Sequence, residues 1–217
     1  DFDGNCFVSS DDIFKLNKIP KTILIVGGGA IGCEFASILK HFGADVTLIE
    51  LMDHILPSED REIAKKLQIL LEKSGIKIFT GTKVDSFIKK GPENIVIKFS
   101  DGREQGFEKV LVCVGRKINS DNIGLDKAGV ELSQKKCIVV DEHLKTNRDN
   151  IYAIGDVIGG WLLAHVASHE GVKAAENICG LSSRISYKAV PSCVFTDTEV
   201  ASVGLSEEKA KTMNFDL

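Results

Sequence analysis

The sequence predicts an α/β fold with parallel strands at its centre and a β-meander inserted before the last of them. Two observations predict this class. Between residues 22 and 79, short β-rich apolar runs alternate with segments of helical periodicity, the rhythm of strand–helix–strand units. From residue 83 to 115 that rhythm gives way to β-rich runs separated only by turn signals.

Each element follows from local chemistry. Residues 1–20 are polar, end in "NKIPK" and read as a connector. "TILIV" (22–26) is an unbroken apolar run, as a buried parallel strand requires. Residues 30–42 place Ile31, Phe35, Ile38 and Leu39 at helical spacing, and Gly43 supplies the stop. "DVTLIE" (45–50) is the second strand. A helix over 58–75 is expected to be capped at Ser58, with Glu59 and Asp60 suiting its dipole. Ile63, Leu67, Leu70 and Leu71 form its apolar stripe, and Gly75 ends it. "IKIF" (76–79) is the third strand. "KVDSFIKK" and "NIVIKFS" pair around Gly91-Pro92, and Asp101-Gly102 turns the chain towards a buried strand at 109–114. Beyond residue 117 the chain is loopier. Strands are expected at 137–140 and 150–156, and a helix at about 164–179, ended by Gly180. "AVPSCVFTDTEVASVG" reads as two strands, and "SEEKAKTM" as the start of a helix.

Composition narrows the function classes. Of the 217 residues, 43% are hydrophobic and 27% charged, an ordinary globular balance. A net charge of -4 argues against a nucleic-acid partner, which demands a basic footprint. No apolar run reaches membrane-spanning length, and the first ten residues lack the basic end and apolar centre of a signal peptide. The chain does not begin with methionine, so it reads as a processed product or an excised piece. The cysteines (Cys6, Cys33, Cys113, Cys137, Cys179 and Cys193) lie too far apart for a C-x-x-C motif or zinc knuckle. Reduced, structural thiols in a cytoplasmic compartment are expected. Neither these nor the histidines show metal-ligand spacing.

The glycine turn carries the chemistry. Gly27, Gly29 and Gly32 form a G-x-G-x-x-G turn with Ala30 and Ile31 inside it. Gly27 permits the tight bend, Gly29 lets backbone approach a pyrophosphate, and Gly32 lets helix and sheet pack closely. Beyond it a helix N-terminus presents unpaired N–H groups. Glu50 closes the next strand near the spacing of a ribose-binding acid. This is the signature of a Rossmann-like dinucleotide-binding domain. A carboxylate there accepts ribose hydroxyls and repels a 2′-phosphate, and "LMDHIL", starting at Leu51, offers no Arg or Lys to offset that repulsion. NAD is therefore expected over NADP. From spacing alone, the ADP part of a flavin would fit the same turn, and an incidental acid beside a structural turn is the plainer alternative. A second signature, "NIYAIGD", ends in Gly155 and Asp156. From its residues it is equally a polyol-binding acid or a capping turn.

"VGGGAIGCEFA", "VLVCVGRK", "NIYAIGD", "LLAHVASHEG" and "PSCVFTDTEVASVGLSEEKAK" follow one another as in the flavin-dependent pyridine nucleotide-disulfide oxidoreductases, which the chain resembles. The resemblance spans essentially the whole chain. Within the family it is greatest to the NAD-dependent branch that oxidises dihydrolipoyl groups. It implies that Gly27–Gly32 hold NAD, with Glu34 at the nicotinamide–flavin contact and Val114 and Gly115 lining the nicotinamide pocket. It implies that Gly155 and Asp156 hold the ribitol of FAD. Leu163, Ala164 and His165 would then face the flavin with backbone N–H groups; His165 is not read as catalytic. It further implies residues 1–16 as the end of an FAD domain, 17–117 as the NAD domain, 118–186 as returning FAD domain, and 187–217 as the start of an α+β dimer-interface domain. A homodimeric parent would serve a 2-oxo acid dehydrogenase complex or a glycine-cleavage lipoyl protein, in the cytoplasm or a mitochondrial matrix. Ile118 and Thr198 stand where members carry proline. The family's redox cysteine pair, separated by four residues, and its C-terminal His-Glu dyad have no match here; His165 and His169 beside Glu170 do not fit the dyad. Another member, such as an NADH-dependent mercuric reductase or thiol oxidase, and a non-catalytic NAD-binding module are the competing readings.

Overall fold

A computed structural model of the chain describes residues 3–215. It divides into two compact units, one running to Gly115 and including the segment from Cys193, the other Arg116–Ser192.

The first unit is built on a parallel sheet. Strands β1 (Phe7–Val8), β2 (Thr22–Val26), β3 (Asp45–Ile49), β4 (Lys77–Phe79) and β8 (Lys109–Val112) lie in the order β1-β8-β2-β3-β4. Every pairing in it is parallel. The expected connector over 1–20 therefore corrects to an edge strand, with Phe7 opposite Val110 and Val8 opposite Leu111. Two residues are too short a run for apolar periodicity to reveal.

Alternation along the strands assigns two cores. Ile23, Ile25, Val46 and Leu48 face the side covered by α1 (Ala30–His41) and α2 (Arg61–Lys73). Leu24, Ile49 and Val110 face the other side with Ile95, Ile97 and Phe99 of the meander. That meander is a three-stranded antiparallel sheet of β5 (Val84–Gly91), β6 (Asn94–Phe99) and β7 (Glu104–Phe107). Near-total burial on both faces explains why β2 and β3 read as continuous apolar runs. Strands β9 (Pro191–Val194) and β10 (Val200–Val203) pair, and Val194 and Val200 join the helix-side core. Helix α5 (Glu207–Thr212) is capped by Ser206, whose hydroxyl accepts from the Lys209 N–H.

Three local expectations change. Helix α2 begins at Arg61, not at Ser58, because the Glu59 N–H bonds the Leu56 carbonyl in a turn and keeps 56–59 out of the helix. The runs at 137–140 and 150–156 make only isolated bridges, Leu132 to Ile138 and Lys145 to Tyr152. Lys136 (φ 62) and Leu144 (φ 64) turn the backbone beside each bridge and end the ladder there. Residues Gly155–Ile158, expected to close a strand, form a 3-10 turn. In this second unit a small core of Val130, Ile138 and Ala153 sits beneath α3 (Leu125–Ala128) and the following loops. Helix α4 (Ala164–Ile178) buries Val166, Glu170 and Ala174 along one stripe.

Candidate functional site

In the first unit the glycine turn follows β2, which has β3 on one side and β8 on the other. Chain order reverses there, so the carboxyl end of β2 is the topological switch point where open α/β sheets bind ligands. The turn is wedged between its neighbours. The Gly27 N–H donates to the Ile49 carbonyl at 2.8 Å. Gly27 has φ +107, and a Cβ on it would lie 2.5 Å from the Cys113 oxygen. A Cβ on Gly32 would lie 1.9 Å from the Gly27 oxygen. Both glycines answer to packing inside the protein. Gly29 differs: a Cβ there would meet nothing within 4 Å. It is the N-cap of α1 and offers no side chain to the first helical N–H groups. An open backbone at an uncapped helix N-terminus suits a phosphate. Ala30 is exposed and Ile31 half-buried at the same end.

Glu50 lies just beyond β3, 8% exposed. Its Oε2 accepts from the Gly28 N–H at 2.6 Å, and its Oε1 from the Met52 N–H at 2.8 Å. The carboxylate thus anchors the glycine turn as well as ending the strand. Each carboxylate oxygen has a second lone pair, so acceptor capacity remains for hydroxyl donors. The loop beyond it exposes Leu51 and Met52 and returns to donate from the Leu56 N–H to the Gly28 carbonyl. Gly28 is therefore held through both its N–H and its carbonyl. Sequence reading missed a cluster beside this loop. The carboxylate of Asp53 meets His54 Nδ1 at 2.5 Å and Arg61 Nη1 at 2.8 Å. Those bonds, to His54 first and Arg61 second, hold Asp53 below the usual carboxylate range. The spacing of 53 and 61 gave no cue, because a turn and a helix start bring them together.

Glu34 lies on α1, and its Oε1 accepts from the Phe195 N–H at 2.9 Å. Val114 is exposed, and Gly115 has φ +123 with open space where a Cβ would be. Cys33 and Cys113 are pushed up to about 12 by burial, as inert thiols should be.

In the second unit Gly155 is buried with φ +72, and Asp156 beside it is half-exposed. The Arg116 guanidinium stands 3.7 Å from the Asp156 carboxylate. Leu163 is the N-cap of α4 and supplies no side-chain cap, so the first N–H groups of Ala164 and His165 are unclaimed by the helix. The His165 ring meets the Pro191 carbonyl at 2.9 Å. Glu170 is engaged elsewhere than with its neighbouring histidines: its carboxylate is buried against the Gly155 N–H and the Tyr187 hydroxyl. Among the described residues no group of His, Cys, Asp or Glu is placed to hold a metal ion, and no helix is long and apolar enough to cross a membrane.

A glycine turn at the switch point of a parallel sheet, with an acid at the end of the next strand, is the architecture of the Rossmann-type dinucleotide-binding domains. The profile of the pyridine nucleotide-disulphide oxidoreductases matches residues 2–171, and the chain belongs to that family. It is 45% identical over 207 residues to a dihydrolipoyl dehydrogenase of Chlamydia pneumoniae, covering 95% of this chain and 44% of that protein. A dihydrolipoyl dehydrogenase of Bacillus subtilis is 44% identical, over 96% of this chain and 45% of its own length. Among solved structures, the HOCl-induced flavoprotein disulfide reductase RclA of Escherichia coli superposes with TM-score 0.89. It is 28% identical, over 100% of this chain and 49% of that one. LpdA of Mycobacterium tuberculosis superposes with TM-score 0.89 at 29% identity, over 97% of this chain and 46% of that one. The chain thus spans less than half the length of these relatives.

Proposed function

We propose that these residues are the NAD-binding domain, the returning FAD segment and the first interface strands of a dihydrolipoyl dehydrogenase. The observation that carries the reading is the open backbone at Gly29, placed at the sheet's switch point with Glu50 anchored beside it. The identity of about 45% to dihydrolipoyl dehydrogenases supports the same branch over the more distant disulfide reductases.

The residues present fit both cofactors. The pyrophosphate of NAD would lie on the N–H groups that open α1, over the space left by Gly29. Glu50 would accept the adenosine ribose hydroxyls with its remaining lone pairs and repel a 2′-phosphate. Leu51 would flank that ribose, and Val114 and Gly115 would line the nicotinamide pocket. Glu34 would support the nicotinamide–flavin contact. For FAD, Asp156 would accept a ribityl hydroxyl. The α4 N-terminus at Leu163, Ala164 and His165 would favour negative charge on the flavin through its N–H groups. When bound, FAD would supply the two-electron relay between a dithiol and NAD+. In the whole reaction the two thiols of dihydrolipoamide would be oxidised to a disulfide, and NAD+ reduced to NADH with release of a proton.

This chain contains no cysteine pair separated by four residues to accept those electrons. On its own it is therefore expected to bind NAD without turning over dihydrolipoamide. The complete gene product carrying these residues is expected to be a homodimer that reduces NAD+ with dihydrolipoamide and to work with a lipoyl-bearing partner. An assay with dihydrolipoamide, mercuric ion and oxygen as alternative substrates tests this. Turnover confined to mercuric ion or oxygen would contradict it, as would dihydrolipoamide turnover by the 217-residue chain alone.

A further inference from the structure

Both glycine turns share a device. In the first unit a buried glutamate bonds the Gly28 N–H at 2.6 Å; in the second, Glu170 bonds the Gly155 N–H at 2.6 Å. Glu50 ends a strand and is an expected ligand group. Glu170 is not: it sits in the middle of α4, on the buried stripe between Val166 and Ala174, and is 2% exposed. Burying a carboxylate is unfavourable unless its oxygens are hydrogen-bonded. Here Oε2 takes the Gly155 N–H and Oε1 takes the Tyr187 hydroxyl at 2.7 Å. Both partners donate, so the position requires a group that accepts on both oxygens. A carboxylate does, whereas an amide presents one acceptor and one donor. Tyr187 is suited to remain the donor: burial, and then its bond to Glu170, push its phenol above the usual tyrosine range.

The bonded glycine is the residue before Asp156. Gly155 adopts φ +72, and a Cβ on it would lie 3.2 Å from the Ala167 Cβ. Its N–H is thus fixed by one turn of α4, while another leaves little room for a side chain on its Cα. Fixing Gly155 fixes the 3-10 turn Gly155–Ile158 that presents Asp156. We propose that Glu170, itself held by Tyr187, is a positioning residue that sets the Asp156 carboxylate for the ribityl hydroxyls of FAD. The inference rests on the reading of Asp156 as the ribityl acid. Glu170 touches no cofactor in it; its effect runs through the Gly155 backbone.

The test uses the complete gene product that contains these residues, with FAD affinity measured by flavin fluorescence and the bound flavin followed by visible circular dichroism. Glu170→Gln, Tyr187→Phe and Asp156→Asn are compared, with thermal midpoint and NAD+ affinity as controls. The proposal expects Glu170→Gln to weaken FAD roughly tenfold, the worth of one charge-assisted hydrogen bond. Tyr187→Phe, which leaves Gly155 bonded, should weaken FAD less and alter the flavin dichroism, and it carries the test if Glu170→Gln does not fold. NAD+ affinity should hold in both. If Asp156→Asn weakens FAD while the other two bind as wild type, Glu170 has no positioning role, though the FAD reading stands. If FAD and NAD+ affinity fall together with the thermal midpoint, the role is merely structural and the proposal is overturned. If Asp156→Asn leaves FAD affinity unchanged, the FAD reading fails and the inference with it.

Discussion

Gly29 and Gly32 belong to one motif but answer to different physics. Alanine at Gly32 would drive a methyl into the Gly27 carbonyl, 1.9 Å away. Gly32→Ala is expected to lower stability by roughly 1–3 kcal/mol or more, read by thermal or denaturant unfolding. Gly29→Val fills open space and should leave folding within about 1 kcal/mol while abolishing NAD+ binding. Equal stability loss in both variants would refute the division. Glu50 anchors its loop, and the same carboxylate is the proposed ribose acceptor. Glu50→Ala removes the acceptor for the Gly28 and Met52 N–H groups and is expected to cost about 1–3 kcal/mol as well as NAD+ affinity. A basic residue there should move preference towards NADP+, but with the same loss of loop anchoring. The thiols give a pH test. Cys33 and Cys113 keep their protons up to about 12 in the folded chain, against 9.0 for an unperturbed thiol. Above pH 9 the unfolded chain releases protons that the folded chain retains, so stability should fall as pH rises from there. In alkylation mapped by mass spectrometry at about pH 8, exposed Cys179 and Cys193 should react first. Early labelling of Cys33 would show that the helix–sheet packing opens.

At the scale of elements, the parallel core was legible because burial on two faces writes itself as unbroken apolar runs. "TILIV" and "DVTLI" became β2 and β3 as read, and the meander turned at Gly91-Pro92 and Asp101-Gly102 as expected. The helix faces were less legible. In α1 the residues against the sheet are Gly32, Cys33, Ala36, Ser37 and Leu39, while Ile38 is exposed. Close helix–sheet approach selects small side chains, so hydrophobic size finds Leu39 and the partly buried Phe35 but not the small residues that line most of the contact. In α2, Leu67 and Leu71 are buried as expected together with Ala64, whereas Ile63 and Leu70 lie partly in solvent. The cap at Ser58 failed because turn geometry at 56–59 competes with helix propensity. Asp60 stands at the N-cap instead, and its carboxylate accepts from the Glu207 N–H rather than from its own helix. Local pattern cannot report a partner 147 residues away. The meander's role as cover for the sheet gives a further prediction. Phe99, 1% exposed among Leu24, Ile49 and Val110, should cost roughly 3–5 kcal/mol as Phe99→Ala, measured by denaturant unfolding. A loss below about 1 kcal/mol would mean that the meander does not close that core.

For the whole molecule, the two units differ in how much apolar surface they bury. The first has two cores on opposite faces of its sheet, whereas the second rests on the small cluster around Val130, Ile138 and Ala153. Native-state hydrogen exchange should therefore be faster at Ile138 and Ala153 than at Ile23–Ile25. The glycine turn and its acid were readable because close packing at Gly27 and Gly32, and the Glu50 anchor on Gly28, fix residue type at set spacing. The Asp53–His54–Arg61 cluster and the Glu170–Tyr187 pair were not, because tertiary contacts alone assemble them. The turn at Gly27–Gly32, with Glu50, is the proposed NAD site. The most direct measurement is a calorimetric titration of the chain and its Gly29→Val variant with NAD+, NADH and NADPH. NAD+ and NADH are expected to bind in preference to NADPH, and binding is expected to be lost in the variant. Preference for NADPH, or NADH affinity unchanged by Gly29→Val, would contradict it.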